Sequence, residues 1–442
     1  MQFSLWVRWL AMRGALRAGF AVQARLGDPL ARLLVTPELS DDPHPVLEQI
    51  RTRGPLVHTP VAWVTTDHAV CRNILRDKRF GVMPMDMGLP QPVGALIKRT
   101  DPGVANPVEP PAMLMVDPPD HTRYRQLVAQ SFTPRAIGSL NTRVAEITAE
   151  LVDRLAVNPN PDLITDFAAP LATEVISDML GFPPGSTSKL ANFGRSGSTL
   201  LDVGIKWKTY QRAIDDLRIV SSFLDEHLGN VRAHGSGDNP FSRLAADGAL
   251  TDHEYTANAA MLIGAGVDTT VNLIGNGIVL LLQHRDQLDR LREDPTLWDD
   301  AIEEILRFDS PVQMLARVTN CELELAGHHV PSGEFIALMI GGANRDPVVF
   351  TEPSRFDITR SNARDHLAFS SGVHSCLGAP LARAEGVIAL RALFETFPDI
   401  CLAGPPKRRG LVTVHGFKEL PVRLGRRRPV AATRNDGVPA AE

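Results

Sequence analysis

At 442 residues, 44% of them hydrophobic and 22% charged, the chain has an ordinary globular composition and enough length to bury a large core. Its net charge of −5 excludes the basic footprint that nucleic-acid binding requires. Its four cysteines, Cys71, Cys321, Cys376 and Cys401, stand far apart without a C-x-x-C pair, which excludes a disulfide framework and fits a reducing, cytoplasmic setting.

In chain order, residues 1–20 are apolar but interrupted by Arg8, Arg13 and Arg17. No uncharged run reaches the ~18 residues of a membrane span. Residues 1–35 are therefore expected to form an amphipathic extension on the protein's own surface, with membrane contact at most peripheral. Short strands are expected over 57–66. Residues 81–116 hold seven prolines and five methionines (Met83, Met85, Met87, Met113, Met115) and read as an irregular loop, either a substrate lid or a plain mobile connection. Helical periodicity follows over 136–155, 169–180, 186–201, 207–231 and 252–284. The last of these opens with Thr251 and Glu254, the pattern of a capping box. Strand-like pieces at 322–325 and 335–340 flank an Ala326-Gly327 turn. Residues 426–442, with Arg426, Arg427 and Arg428, read as a disordered tail. The fold class is mainly α with a small β subregion, and not an alternating βαβ protein.

Chemistry concentrates in four places. The first is Phe369-Ser-Ser-Gly372-Val-His374-Ser-Cys376-Leu-Gly378, a glycine-flanked cysteine just before a helical pattern. A helix start stabilises a thiolate, and glycine permits close approach of a flat ligand. By itself the run fits either an iron ligand or a buried structural cysteine. The second is Gly264-Ala265-Gly266-Val267-Asp268-Thr269-Thr270, inside a helix. Two interior glycines each cost about 1 kcal/mol against alanine, a local break of the kind expected at functional sites. An acid beside two hydroxyls can pass protons; the plainer reading is a kinked helix whose threonines bond back to carbonyls. The third is Glu304-Ile-Leu-Arg307, an (i, i+3) ion pair that means little alone. The fourth is Asp117-Pro-Pro-Asp120-His121-Thr-Arg123-Tyr-Arg125, whose His121 and Arg125 share one helix face suited to an anion.

Together these runs resemble the cytochromes P450. Cys376 lies in a match to F-x-x-G-x-H-x-C-x-G, residues 265–270 resemble A-G-x-[D/E]-T-T, and residues 117–125 resemble D-P-P-[E/D]-H-x-x-x-R. The motifs occur in the family's order from about residue 36 to residue 424. The likeness is to bacterial, class I actinobacterial members, the mycobacterial family 140 among them. One looser match is Ser370 and Ser371, where glycine is common before Gly372.

The resemblance implies the P450 triangular-prism fold over 36–425, overriding a length-based expectation of several domains. It implies haem b as cofactor, with Cys376 as the iron ligand and Phe369, Gly372 and Gly378 shaping its loop. His121, Arg125, Arg317 and His374 would hold the propionates, and Ala265 and Gly266 would form the groove over the ring. Asp268 and Thr269 would deliver protons. Glu304, Arg307 and Arg355, the last from Pro353-Ser-Arg355-Phe356, would form a buried ion network. Val312, Met314, Leu315 and residues 200–207 would line the substrate pocket. The implied reaction is a monooxygenation of a small hydrophobic substrate (polyketide, lipid or terpenoid) by O2. The chain has no G-x-G-x-x-G turn in a βαβ setting, so electrons would come from a separate ferredoxin and ferredoxin reductase, with Arg123 and Arg135 on the docking face. Two competing readings are a peroxide-using haem-thiolate enzyme, which predicts a damaged acid–threonine pair, and a haem sensor or carrier without turnover.

Overall fold

The longest element, Asp252–Gln283, runs through the middle of the molecule and is buried along most of its length. Its start is fixed by a reciprocal capping box: Thr251 Oγ1 accepts from Glu254 N–H, and the Glu254 carboxylate accepts from Thr251 N–H. Apolar residues occupy every face, which marks a helix surrounded by protein. By length and composition it would also cross a membrane, but its apolar surface is spent on the core. The computed structural model describes residues 2–82, 91–183, 185–235 and 239–428.

Ala169–Leu180, Thr187–Ser196, Trp207–His234 and Ala379–Thr396 pack around this central helix, and Pro134–Ala156 packs behind Ala379–Thr396. Gly266 is one reason they come so close. A Cβ there would stand 2.9 Å from Ile176 Cδ1 of Ala169–Leu180. Gly264 in turn faces Phe193 at ordinary contact distance. Gly266 therefore serves helix packing, whereas the space beside Gly264 would accept a side chain.

The β part is small. Five strands run in the order Val57–His58, Trp63–Thr65, Phe335–Met339, Met314–Thr319, Phe80–Gly81. Trp63–Thr65 pairs parallel with Phe335–Met339, and the other pairings are antiparallel. Two short ladders, Lys407–Arg408 with Phe417–Glu419 and Cys401–Leu402 with Val422–Arg423, close the C-terminal part.

Three expectations need adjustment. The segment 81–116 is not structureless: it contains the helix Gln91–Arg99, and Met113 is buried in the main core. Met83, Met85 and Met87 lie outside the described residues. Of the expected tail, Arg426 pairs with Asp399, Arg427 with Asp153, and Arg428 N–H donates to Thr396 O; residues 429–442 lie outside the described residues. The N-terminal helices Gln2–Trp9 and Ala15–Arg25, joined by a π turn at Leu10–Gly14, do dock on the protein. Leu5 and Met12 are buried as an amphipathic helix requires, but the pattern is broken elsewhere. Arg8 is 1% exposed, while Phe3, Trp6 and Leu10 face outward.

Candidate active site

The loop 369–378 is held by its own backbone. Cys376 N–H donates to Phe369 O at 2.9 Å, and the chain between them turns through left-handed φ values at Ser370 (61°) and Gly372 (72°). At Gly372 a Cβ would stand 2.3 Å from Leu75 O, so only glycine fits. Ser370 holds the same conformation with a side chain, at a cost of about 1 kcal/mol. Phe369 packs against the main core, and the Arg383 guanidinium lies 4.6 Å from its ring centroid. Glu303 anchors Arg383 (2.5 Å) and His366 (3.0 Å); against the upward push of burial, these two partners hold its carboxylate down to about 2.

Gly378 immediately precedes the helix Ala379–Thr396, and the Gly378 and Ala379 N–H groups are directed at the Cys376 sulfur. Burial pushes the thiol up, while those two donors and the charges of Arg125 and Arg383 pull it down. The sulfur thus sits where a thiolate is favoured as soon as a cation meets it.

Four basic side chains gather beside this loop, two arginines and two histidines. Arg125 donates from Nη1 to Ser375 O at 2.8 Å, tying the helix Asp120–Val128 to the cysteine loop. The His121 and His374 rings lie 4.1 Å apart. Burial, His374 and Arg125 push the His121 pKa down to about 4. Arg317 is 7% exposed, and its guanidinium donates to its neighbour Ala316 O; burial lowers its pKa, with Asp117 opposing. Among the described residues, Asp117 is the acid facing this group. It stands 3.8 Å from His374 Nε2, which is buried without a hydrogen-bond partner. Buried cations with this little counter-charge are costly unless an anion joins them.

In the central helix, Ala265 is exposed and Thr269 half-buried, in the middle of a span that is otherwise covered. Thr269 Oγ1 donates to Ala265 O at 2.6 Å, the plainer of the two readings of that motif. Asp268, 1% exposed, is ion-paired with Arg409, and Arg409 also reaches Ser198 Oγ at 3.3 Å. Beside Asp268 opens a cavity of about 600 Å³ walled by residues 33–36, 202–206 and 409–412. Val312, Met314 and Leu315 are not among its walls. Val312 bridges to Val414, Met314 is buried under the sheet, and Leu315 packs beside a second core.

Glu304 and Arg307 are both fully buried and bonded at 2.7 and 2.8 Å. The third member is Arg360, whose Nε lies 3.2 Å from Glu304. The expectation for Arg355 is corrected: its side chain is 59% exposed and pairs with Glu352 and Asp357, and only its carbonyl meets Arg307. Arg123 is likewise engaged, paired with Glu254 and stacked on Tyr124.

A haem fits these residues. The basic cluster would receive two carboxylates from the propionates, His374 Nε2 is buried without an acceptor, and Ala265 is exposed in an otherwise largely covered stretch of the central helix. Sequence reasoning missed Arg409, Arg360 and the Glu303–His366–Arg383 group. Arg409 stands in a basic run, Lys407-Arg408-Arg409, that reads as a solvated face.

Comparison with known proteins agrees. The family profile "Cytochrome P450" matches residues 238–399. The chain is 41% identical over 427 residues to "Putative cytochrome P450 140" of Mycobacterium tuberculosis, covering 95% of this chain and 97% of that protein. It is 36% identical over 405 residues to 6-deoxyerythronolide B hydroxylase of Saccharopolyspora erythraea, covering 85% and 94%. Among solved structures, P450BioI in complex with hexadec-9Z-enoic acid ligated acyl carrier protein superposes with a TM-score of 0.79 at 33% identity, covering 88% of this chain and 100% of that one. With its helical fold, cysteine loop and likeness along nearly its whole length, the chain belongs to the cytochrome P450 family of haem-thiolate monooxygenases.

Proposed function

We propose that this P450 carries haem b, works in the cytoplasm with a separate ferredoxin and ferredoxin reductase, and hydroxylates or epoxidises a hydrophobic polyketide, lipid or terpenoid. One oxygen atom of O2 enters the substrate; the other leaves as water, consuming two electrons and two protons. The observation that carries the reading is the Cys376 sulfur, facing two N–H donors, beside a basic cluster in which His374 Nε2 is buried without a hydrogen-bond partner. Bound haem supplies the iron that activates dioxygen, with the thiolate pushing electron density toward O–O cleavage.

The chain's own residues do the rest. Arg125, Arg317, His121 and His374 would hold the propionates and so fix the ring's height over Cys376. Thr269, anchored on Ala265 O, presents its hydroxyl oxygen to the site. Asp268, next to Thr269 in sequence, lining the cavity and ion-paired with Arg409, would pass protons inward. The intact Asp268–Thr269 pair favours this over a peroxide-using enzyme. Residues 36–425 would be the catalytic domain, with 1–35 docked on it. The hydrophobic substrate is supported by the cavity's apolar walls, among them Leu33, Val35, Ile205, Val271 and Phe417. It is supported too by the polyketide and acyl ligands in the relatives' names. Both arginines expected on a ferredoxin face are exposed, Arg123 while paired with Glu254.

The test is reconstitution with a ferredoxin and its reductase. The reduced CO complex should show a thiolate-type spectrum, and apolar ligands should shift the spin state. With a substrate so found, Thr269→Ala should lower product formed per O2 by roughly tenfold or more, with hydrogen peroxide taking its place. Unchanged coupling would remove Thr269 from the relay. Spin shifts with small polar ligands alone would overturn the substrate class.

A further inference from the structure

Three side chains of the N-terminal helices donate onto one segment. Trp9 Nε1 donates to Ile205 O at 3.0 Å. Arg13 donates from Nη1 to Asp202 O at 2.8 Å and from Nη2 to Leu200 O at 2.7 Å. Arg17 Nη1 donates to Gly204 O at 2.5 Å. Residues 9, 13 and 17 are four apart. At 3.6 residues per turn they would drift by about 80° over the eight positions. The π turn at Leu10–Gly14 winds less per residue and brings them back into line. Upstream, Arg8 donates to Ile97 O (2.6 Å) and pairs with Glu109 (2.7 Å), which fixes the same helices to residues 97–109.

The segment so held joins the helices Thr187–Ser196 and Trp207–His234. After its short 3-10 turn, Gly197–Leu201, it has no helix or strand of its own. Residues 202–206 form one wall of the cavity beside Asp268, and Arg17 lines that cavity directly. On the far side the Asp202 carboxylate accepts from Val412 and Thr413 N–H, at 3.0 and 2.8 Å. The wall thus depends on donors from outside: two amides of the C-terminal part, and three side chains of the N-terminal helices.

We propose that Trp9, Arg13 and Arg17 are specificity-determining positioning residues, holding residues 200–206 as a latched wall of the substrate entrance and setting which ligands enter and how fast. The proposal rests on the reading of this cavity as the substrate's. A carbonyl bonded to a guanidinium cannot swing outward, so a bulky ligand must wait for the latch to open, while a small one passes. Freed of the latch, the segment would retain the Asp202 tie and move about it.

The test uses the full-length haem protein with Arg13→Gln, Arg17→Gln and the double variant. Hydrogen exchange is measured at the amides of 200–206. Entry is timed by stopped flow as the Soret shift on binding of imidazole and of the much bulkier clotrimazole. The expected result is exchange at least tenfold faster in the double variant, with clotrimazole entry several-fold faster and imidazole entry little changed. Arg13→Lys, which keeps one charged donor, should restore part of the size discrimination, and it remains informative should the glutamine variants fold poorly. Unchanged exchange, or faster exchange with the ratio of the two entry rates unaltered, overturns the proposal. A thiolate-type reduced CO spectrum in every variant separates this outcome from a failure of the functional reading, which would already show in the unsubstituted protein.

Discussion

Two sets of basic side chains serve the region of the cysteine loop, and they are built on opposite principles. In the first, Arg307 and Arg360 meet Glu304, and Arg307 also donates to the carbonyls of Asn344, Pro353 and Arg355. Every charge there is answered from within the fold. In the second, His121, Arg125, Arg317 and His374 face a single acid, Asp117, at a distance. The difference teaches which buried charge is structural and which awaits a ligand. A closed network works before any cofactor arrives; an open one stores a deficit that a dianion removes.

The largest effect should come from breaking the closed set. Glu304→Gln leaves two buried guanidiniums without their carboxylate and should cost on the order of 3–5 kcal/mol in chemical unfolding, with or without haem. Arg317→Leu should behave in the opposite way. In haem-free protein it removes an under-compensated buried charge and should leave stability equal or higher, while haem affinity falls tenfold or more in a transfer assay. Equal losses in both forms would mean that the open set is structural after all. The smallest effect is a pH slope. His121 ordinarily titrates at 6.5 and is held at about 4 in the fold. Between those values the unfolded chain binds a proton that the folded one refuses. Stability of the haem-free protein is therefore full above about 6.5 and falls as pH drops toward 4, by about 1 kcal/mol per pH unit. His121→Asn should flatten that slope, read from unfolding midpoints across the range.

The closed set also shows how far sequence reading reaches. Glu304 and Arg307 are visible because one helix turn separates them. Arg360 is not, because its partner lies 56 residues away and nothing local distinguishes it from Arg355. Likewise the central helix announces itself through Thr251, Glu254 and its apolar run, and the cysteine loop through the spacing of Gly372, His374, Cys376 and Gly378. Arg409 gives no such sign; its meaning comes from Asp268, 141 residues earlier, which only the folded chain brings to it. The N-terminal arginines mislead for a related reason. Pattern alone assigns charge to water, whereas Arg13 and Arg17 find backbone carbonyls. Motifs that repeat a local geometry are legible, and partnerships closed across the fold are not.

The donors aimed at the Cys376 sulfur are main-chain amides of Gly378 and Ala379, and the loop passes the Leu75 carbonyl so closely at Gly372 that no side chain fits. None of these groups changes when a side chain does. The amide share of what tunes the sulfur is therefore inherited with the path of the backbone, and substitution reaches it through the charges of Arg125 and Arg383. Descendants of such a scaffold keep one reagent and vary what it is offered: their divergence is channelled into the walls and the entrance.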